Sequence, residues 1–228
     1  MTQHPQLGLP LGAEVTYATE DFFVSGCNRA AFEQLHHWPE GAQALVLYGP
    51  EASGKTHLAH IWARQQQAMF IPAAQVTVVW VAQMLGEDGL SGHFVIDSLE
   101  QMQDETALFH LLNGLREQGG KALLVSVAAP SQLGITLADA RSRLKALPAA
   151  ALESPDDEVL RAVLIKQFSD RQLRVGEDVV NYLLTRIDRS FSDLRDWVER
   201  IDHAALASQH KVTVPWLREL LGNTAQEQ

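Results

Sequence analysis

The sequence predicts an α/β P-loop domain with a parallel sheet, followed by a small α-helical lid domain. Up to about residue 150, apolar runs of strand length alternate with segments of helical spacing, which indicates βαβ units and a parallel sheet. From Ser154 to Leu221 only helical periods appear, with breaks near Gly176, Ser190 and Val212. The predicted units are an N-terminal arm (1–20), the α/β domain (21–153), a lid of three or four helices (154–222) and a tail (223–228).

The elements follow from apolar patterning and from residues that begin or end helices. Continuous apolar runs are typical of parallel strands that are covered on both faces. Ser154 is predicted to cap the first lid helix, with Pro155 at its first position and acidic residues in its first turn. The predicted strands are Ala44–Tyr48, Gly92–Asp97 and Lys121–Val127, and the predicted helices before the lid are Asn28–Trp38, Thr56–Gln67 and Asp104–Gln118.

Composition excludes several classes of protein. A single cysteine, Cys27, rules out a disulfide framework and a cysteine-rich metal site, and it fits a cytoplasmic protein. No secretory signal is present, and no apolar stretch approaches the roughly 20 residues of a membrane span. The net charge of -10 argues against binding to DNA as the default function, because phosphate contacts need a basic surface. The nine histidines show no convincing metal-ligand spacing.

The strongest motif follows the first predicted strand. The segment Gly49–Thr56 matches G-x-x-x-x-G-K-[ST] in full and opens a helix, as a P-loop must. Its glycines let successive N–H groups point into one concavity, and the helix N-terminus adds partial positive charge for phosphates. Lys55 is expected to reach the β- and γ-phosphates, and the Thr56 hydroxyl to coordinate Mg²⁺. The predicted nucleotide-binding residues here are Gly49, Pro50, Glu51, Ala52, Ser53, Gly54, Lys55 and Thr56.

A second acidic position completes the expected site. Asp97 ends an apolar strand, where a Walker B aspartate holds Mg²⁺. Ser98 follows where many P-loop ATPases have a second acid, and Glu100 can replace that acid only if the loop bends back. Val127 also stands where many such enzymes have a polar residue. Slow intrinsic hydrolysis is therefore expected.

With a P-loop domain first and a helical lid second, the chain resembles the AAA+ ATPases, and most closely the Hda members of the DnaA/Hda branch. This resemblance implies bound ADP or ATP with Mg²⁺. It also implies that Phe22–Arg29 runs along the adenine, with Val24 and His57 among the contacts; a plain connection into the first helix is the alternative. DnaA proper adds a C-terminal helix-turn-helix domain, whereas this chain ends soon after the lid, so no sequence-specific DNA binding is expected.

The N-terminal arm carries a second family motif. Gln6–Leu11 is similar to the Hda segment that binds the sliding clamp, the DNA polymerase III beta subunit. A short mobile peptide of this kind inserts leucines into an apolar pocket while the glutamine makes the polar anchor. An arm that packs on its own domain is the alternative. The predicted clamp-binding residues are Gln6, Leu7, Leu9, Pro10 and Leu11.

A third motif is an arginine pair before the lid. Asp139–Leu144 resembles the family's box VII, which makes Arg143 the candidate arginine finger for a nucleotide on a neighbouring subunit. Arg141 is the competitor, and two solvated arginines are the alternative. In the lid, Ser192 aligns with the family's sensor 2 arginine, and whether Arg189 or Arg195 replaces it is open.

The resemblance implies a negative regulator of replication initiation. Such a protein docks on the clamp and uses Arg143 to promote hydrolysis of ATP bound by DnaA, with weak hydrolysis of its own. An independent P-loop ATPase of the helicase-loader or clamp-loader kind is the alternative, and a clamp-tethered scaffold with a vestigial nucleotide site is a third reading. Association with further copies of the chain is compatible with the family.

Overall fold

A five-stranded parallel sheet forms the centre of the N-terminal part, with strand order β2-β3-β4-β1-β5. The computed structural model describes residues 22–38, 40–86, 89–208 and 211–224. The elements are α1 (Arg29–His36), β1 (Ala44–Tyr48), α2 (Lys55–Gln66), β2 (Met69–Pro72), α3 (Val78–Gly86), β3 (His93–Asp97), α4 (Glu105–Gln118), β4 (Lys121–Ser126), α5 (Ala138–Lys145), β5 (Ala149–Ala151), α6 (Asp157–Asp170), α7 (Glu177–Leu184), α8 (Phe191–Ser208) and α9 (Val214–Thr224).

Helices cover both faces of this sheet because alternate strand residues point to opposite sides. Val46 of β1 joins the core beneath α3, α4 and α5. Its neighbours Leu45 and Leu47 join the core beneath α1 and α2. All three side chains are fully buried, as expected for a central parallel strand. The α/β fold and the parallel sheet are thus confirmed.

Helices α6 to α9 surround a separate apolar core. The first of them begins two residues later than the sequence predicts: Asp156, not Ser154, is the N-cap, and its Oδ1 accepts from the Val159 N–H at 2.9 Å. Helical spacing predicts that Trp197, Ile201 and Leu206 lie on one buried stripe of α8, but Leu206 is 70% exposed and Ala205 is buried in its place, whereas Ile201 is buried. The buried stripe of α8 therefore continues from Ile201 to Ala205, at i+4 spacing.

The predicted strands and helices of the N-terminal part are present, with ends that differ by one or two residues. The prediction missed four elements, namely β2, α3, α5 and β5. Edge strand β2 exposes Met69 at its start, and β5 has only three residues, all alanine. Neither has the continuous apolar run that identifies a buried strand. Within the described ranges, no helix is both long enough and apolar enough to cross a bilayer.

Candidate nucleotide-binding site

The P-loop joins the carboxyl end of β1 to α2, and β1 lies between β4 and β5 in the sheet. The chain after β5 crosses directly against the start of this loop: the Leu152 N–H donates to the Tyr48 carbonyl at 2.7 Å. A Cβ atom at position 49 would collide with the carbonyl group of Leu152. Gly49 is therefore required by the close approach of two backbone segments.

Two residues of the loop adopt left-handed backbone conformations, Ala52 with φ 52° and Gly54 with φ 94°. These turns curl the loop at the N-terminus of α2. Between them, Ser53 is 4% exposed, and its hydroxyl has no hydrogen-bond partner among the described residues. A buried polar atom without a partner is uncommon in a folded protein.

Lys55 is held within the loop. It is 8% exposed, and its Nζ donates to the carbonyl oxygens of Gly49 at 2.8 Å and Pro50 at 2.6 Å. Burial lowers the pKa of Lys55, whereas the carboxylates of Glu100, Asp97 and Glu51 act to raise it. The structure thus brings the predicted phosphate-binding lysine and the predicted Walker B aspartate to the same edge of the sheet.

Asp97 ends β3 and is half-buried. Burial raises the pKa of its carboxyl above the usual value. The Ser98 N–H, His60 and Lys55 oppose that shift, while Glu100 adds to it. His60 stacks on the ring of Phe70 with centroids 4.1 Å apart, and burial lowers its pKa. A carboxylate that is costly to ionise here is suited to a cation partner.

The chain bends back immediately after Asp97. Ser98 has φ 59° and precedes a 3-10 turn over Leu99–Gln101. As a result, Glu100 Oε2 accepts from the N–H of Val127, just past the end of β4, at 3.2 Å. The loop after Asp97 thus bends back, which is what Glu100 requires to replace the second acid.

The segment before α1 is tied to the start of the lid. The Ser25 hydroxyl donates to Asp156 Oδ2 at 2.6 Å, and Asn28 closes the turn through its bond to the Phe23 carbonyl. Val24 is half-buried in this segment. The Phe22 ring packs edge-on against His57, with centroids 5.6 Å apart. The segment that the resemblance assigned to the base thus lies beside the first turn of α2.

Helix α8 of the lid touches the P-loop. The N–H of Phe191 donates to the Ala52 carbonyl at 3.3 Å. The Phe191 ring lies so close to Gly54 that a Cβ there would be 3.2 Å from it, and Phe22 approaches the same point from another side. Phe191 could not be identified from the sequence, because an aromatic residue at the start of a helix does not reveal which loop it contacts.

Two arginines, Arg189 and Arg195, lie near Phe191 in sequence. Arg189 pairs with Asp157 of α6 at 3.3 Å, and both side chains are exposed. Arg195 is exposed on α8, while the Ser192 hydroxyl lies 3.1 Å from that of Ser190. Replacement of the sensor 2 arginine by Arg189 or Arg195 stays a prediction.

Arg143 lies on α5 with its guanidinium 5.0 Å from the ring centroid of Phe109 on α4. It is half-buried there. Arg141 is exposed and donates from Nη1 to the Ile135 carbonyl at 3.3 Å. The two arginines therefore have different surroundings, and Arg143 is the one held against an aromatic face.

Two further sets of residues complete the sequence-based predictions. The clamp-binding residues Gln6, Leu7, Leu9, Pro10 and Leu11 lie outside the described residues. Across 22–38, 40–86, 89–208 and 211–224, no group of three or more His, Cys, Asp and Glu side chains has the arrangement of a metal site. Cys27 is a buried free thiol beside the Ser25 hydroxyl.

Comparison with known proteins gives a family match in the lid and a relative over nearly the whole chain. Residues 156–221 match the family model of the Hda lid domain. An uncharacterized protein of Haemophilus influenzae is 28% identical over 230 residues, which cover 95% of this chain and 98% of that protein.

Solved structures share the fold over both domains. Domain III of the Thermotoga maritima replication initiation protein DnaA has 22% identity and a TM-score of 0.75, covering 91% of this chain and 96% of that one. AMPPCP-bound DnaA from Aquifex aeolicus has 18% identity and a TM-score of 0.64, with coverage of 80% and 63%. The Thermotoga maritima RuvB branch migration motor has 16% identity and a TM-score of 0.65, with coverage of 85% and 65%.

Because the solved structures are no more than 22% identical to this chain, they establish its fold alone. The match to the Hda lid domain adds a family resemblance for the lid. The chain therefore has the fold of DnaA domain III, a parallel-sheet α/β domain followed by a helical lid, and residues 156–221 of that lid match the Hda lid domain.

Proposed function

We propose that this protein is a nucleotide-bound negative regulator of replication initiation. It docks on the sliding clamp and supplies Arg143 to ATP held by DnaA, leaving DnaA in its ADP form. The observation that carries the proposal is the Hda-type lid at residues 156–221, attached to a domain with a complete P-loop motif. The acidic net charge of -10 supports a role exercised through protein partners and not through sequence-specific DNA contacts.

The site fits ADP or ATP. The loop from Gly49 to Thr56 curls at a helix N-terminus, and the buried Ser53 hydroxyl needs a partner that a phosphate oxygen would provide. Lys55 already lies inside the loop, so it needs only to exchange two backbone carbonyls for phosphate oxygens. Pro50, Glu51, Ala52 and Gly54 complete the cradle. A related structure, that of Aquifex aeolicus DnaA, is described as bound to AMPPCP.

Residues beside the loop would hold the base and the metal. Val24 and His57 flank the loop on the side of the Phe22 segment, where an adenine would pack. The Thr56 hydroxyl and the Asp97 carboxylate would hold Mg²⁺, which neutralises charge on the phosphates when bound. An ionised carboxylate at Asp97 is disfavoured by its surroundings alone, so a divalent cation would stabilise it.

Arg143 is suited to act on another subunit's nucleotide. Its guanidinium is permanently charged and can bond to phosphate oxygens in a bidentate manner. The cation–π contact with the Phe109 ring holds the guanidinium in a defined position. Such a contact contributes only about 0.5–1 kcal/mol, so the arginine can leave the ring at low cost when it binds a phosphate. Such an arginine raises hydrolysis by ~10³–10⁵ in related reactions.

Clamp docking is assigned to Gln6, Leu7, Leu9, Pro10 and Leu11. Three leucines and a proline around one glutamine form a short apolar ligand with one polar anchor. Tethering on a clamp that is loaded on DNA would raise the local concentration of the regulator near DnaA.

The experiment that tests this function combines a clamp pull-down with a hydrolysis assay. Wild-type protein and Gln6→Ala are compared for retention on clamp-loaded DNA, with and without ADP, and for release of ADP from ATP-loaded DnaA. The proposal expects Gln6→Ala to lose both retention and stimulation while keeping nucleotide affinity. Stimulation by Gln6→Ala equal to that of wild type contradicts clamp docking as a requirement.

One observation favours a second function, that of an independent ATPase. Glu100 returns to the end of β4 next to the site, which supports intrinsic hydrolysis. Steady-state turnover separates the two functions. An independent ATPase should turn over at about 1 per second or faster, in the usual enzyme range, and Lys55→Ala should abolish that turnover. Slower turnover together with strong stimulation of hydrolysis by DnaA favours the regulator.

A further inference from the structure

The turn after Asp97 places a second carboxylate at the mouth of the site. Ser98 occupies the left-handed region, and the 3-10 turn that follows reverses the chain toward β4. The Glu100 carboxylate is fixed there by the Val127 N–H. Strands β3 and β4 are adjacent and parallel, with Ile96 opposite Leu124, so this position lies at the same edge of the sheet as Asp97.

Glu100 is also electrostatically close to the P-loop lysine. Among the carboxylates that raise the pKa of Lys55, Glu100 has the largest effect, ahead of Asp97 and Glu51. Its charge also raises the pKa of Asp97. Only one of its oxygens is taken up by Val127, so the other is available to a further donor.

We propose that Glu100 is the catalytic carboxylate of this protein's own ATP hydrolysis and replaces the acid missing at Ser98. This inference rests on the proposed nucleotide binding. Glu100 accepts a hydrogen bond from the attacking water. As the water oxygen bonds to the γ-phosphorus, one water proton passes to the carboxylate. The bond from the γ-phosphorus to the bridging oxygen breaks with its electron pair left on ADP, and the proton is then released to solvent.

The position also explains how Val127 fits the site. Its apolar side chain cannot contact a phosphate by hydrogen bonding, but its backbone N–H orients Glu100. The missing polar side chain is thus offset by a backbone N–H that any residue except proline would supply at position 127. Hydrolysis is expected to be slow but dependent on Glu100.

The test compares full-length wild type, Glu100→Gln and the control Glu117→Gln. Glu117 is exposed near the end of α4 that leads into β4, so it lies at the amino edge of the sheet and away from the P-loop. Glu117→Gln therefore changes the net charge by the same amount as Glu100→Gln without altering the site. Three measurements are made: calorimetric affinity for ADP, single-turnover hydrolysis of ATP with Mg²⁺, and trapping of ADP with aluminium fluoride. The last mimics the transition state and does not depend on activity.

We expect Glu100→Gln to keep ADP affinity within about twofold, to slow hydrolysis by roughly 10² or more, and to lose aluminium fluoride trapping. Glu117→Gln should match wild type in all three. Retained ADP affinity shows that the variant is folded at the site. Wild-type rates and trapping in Glu100→Gln overturn the inference, as does a wild type that binds ADP but shows no hydrolysis. A wild type that binds neither ADP nor ATP overturns the proposed function as well.

Discussion

The N–H of Phe191 donates to the carbonyl oxygen of Ala52 across 3.3 Å, which joins the first residue of lid helix α8 to the P-loop. The same Phe191 ring packs over Gly54 and against the lid core. One residue therefore contacts the loop that holds the phosphates and the domain that closes over it. A change in the loop on nucleotide binding would be transmitted to α8 through this contact.

Removal of the Phe191 ring should loosen the lid. We expect Phe191→Ala to lower the free energy of unfolding by about 1–3 kcal/mol, less than for a fully buried phenylalanine. Amides in the first turn of α8 should exchange with solvent faster than in wild type. Hydrogen exchange measured by mass spectrometry checks this. Leu206→Ala, at a 70% exposed position of the same helix, is the matched control; equal protection of α8 in wild type and Phe191→Ala contradicts the contact.

Gly49 should tolerate no side chain. Because a Cβ would meet the backbone carbonyl of Leu152, β1 and β5 would have to separate. We expect Gly49→Ala to destabilise the protein by about 3 kcal/mol or more, in the upper range for single substitutions. At Gly134 nothing lies within 4 Å of an added Cβ, so Gly134→Ala should change stability by no more than about 0.5 kcal/mol. Thermal unfolding of both variants gives the comparison, and similar melting temperatures would refute the close approach.

Asp97 should reduce the stability of the protein at neutral pH when no nucleotide is added. Burial raises the native pKa of its carboxyl above the unfolded value. Its contribution to stability is therefore fully present below the unfolded pKa of about 4 and is lost as pH rises through the native pKa. We expect Asp97→Asn to raise the melting temperature near pH 7, with a gain that shrinks as pH falls toward 4.

The same substitution should remove the stabilisation that Mg²⁺-nucleotide gives to wild type, because a ligand to the metal is lost. A melting-temperature series from pH 4 to 8, with and without ADP and Mg²⁺, measures both effects. A gain from Asp97→Asn that is the same at every pH would show that ionisation of Asp97 is not its cause.

Much of the site could be predicted because its signals are local in sequence. The P-loop from Gly49 to Thr56 and the strand that ends at Asp97 each combine a short motif with an apolar run, and the parallel sheet brings their ends together. The four missed elements lacked such patterns. Strand β2 is a four-residue edge strand, and α3 exposes Val79 on its outer side, so neither shows a clear apolar period.

Contacts between distant segments could not be predicted in the same way. The Ser25 hydroxyl bonds to Asp156, 131 residues away, and that bond uses the carboxylate that also caps α6. Ser154 is the expected cap because a capping serine followed by proline is a common helix start, and nothing local in the sequence distinguishes it from Asp156. The Phe191 contact with Ala52 likewise depends on how the lid is placed.

The proposed action of Arg143 on ATP held by DnaA can be measured in a single hydrolysis assay. ATP-loaded DnaA is mixed with clamp on DNA and with wild type, Arg143→Ala or Arg141→Ala, and ADP formation on DnaA is measured. Arg141 lies two residues away but bonds to the Ile135 carbonyl, so it controls for loss of charge on α5. We expect Arg143→Ala to reduce the stimulation of hydrolysis by ~10³-fold or to background, and Arg141→Ala to retain it. Full stimulation by Arg143→Ala would show that Arg143 is not the arginine finger.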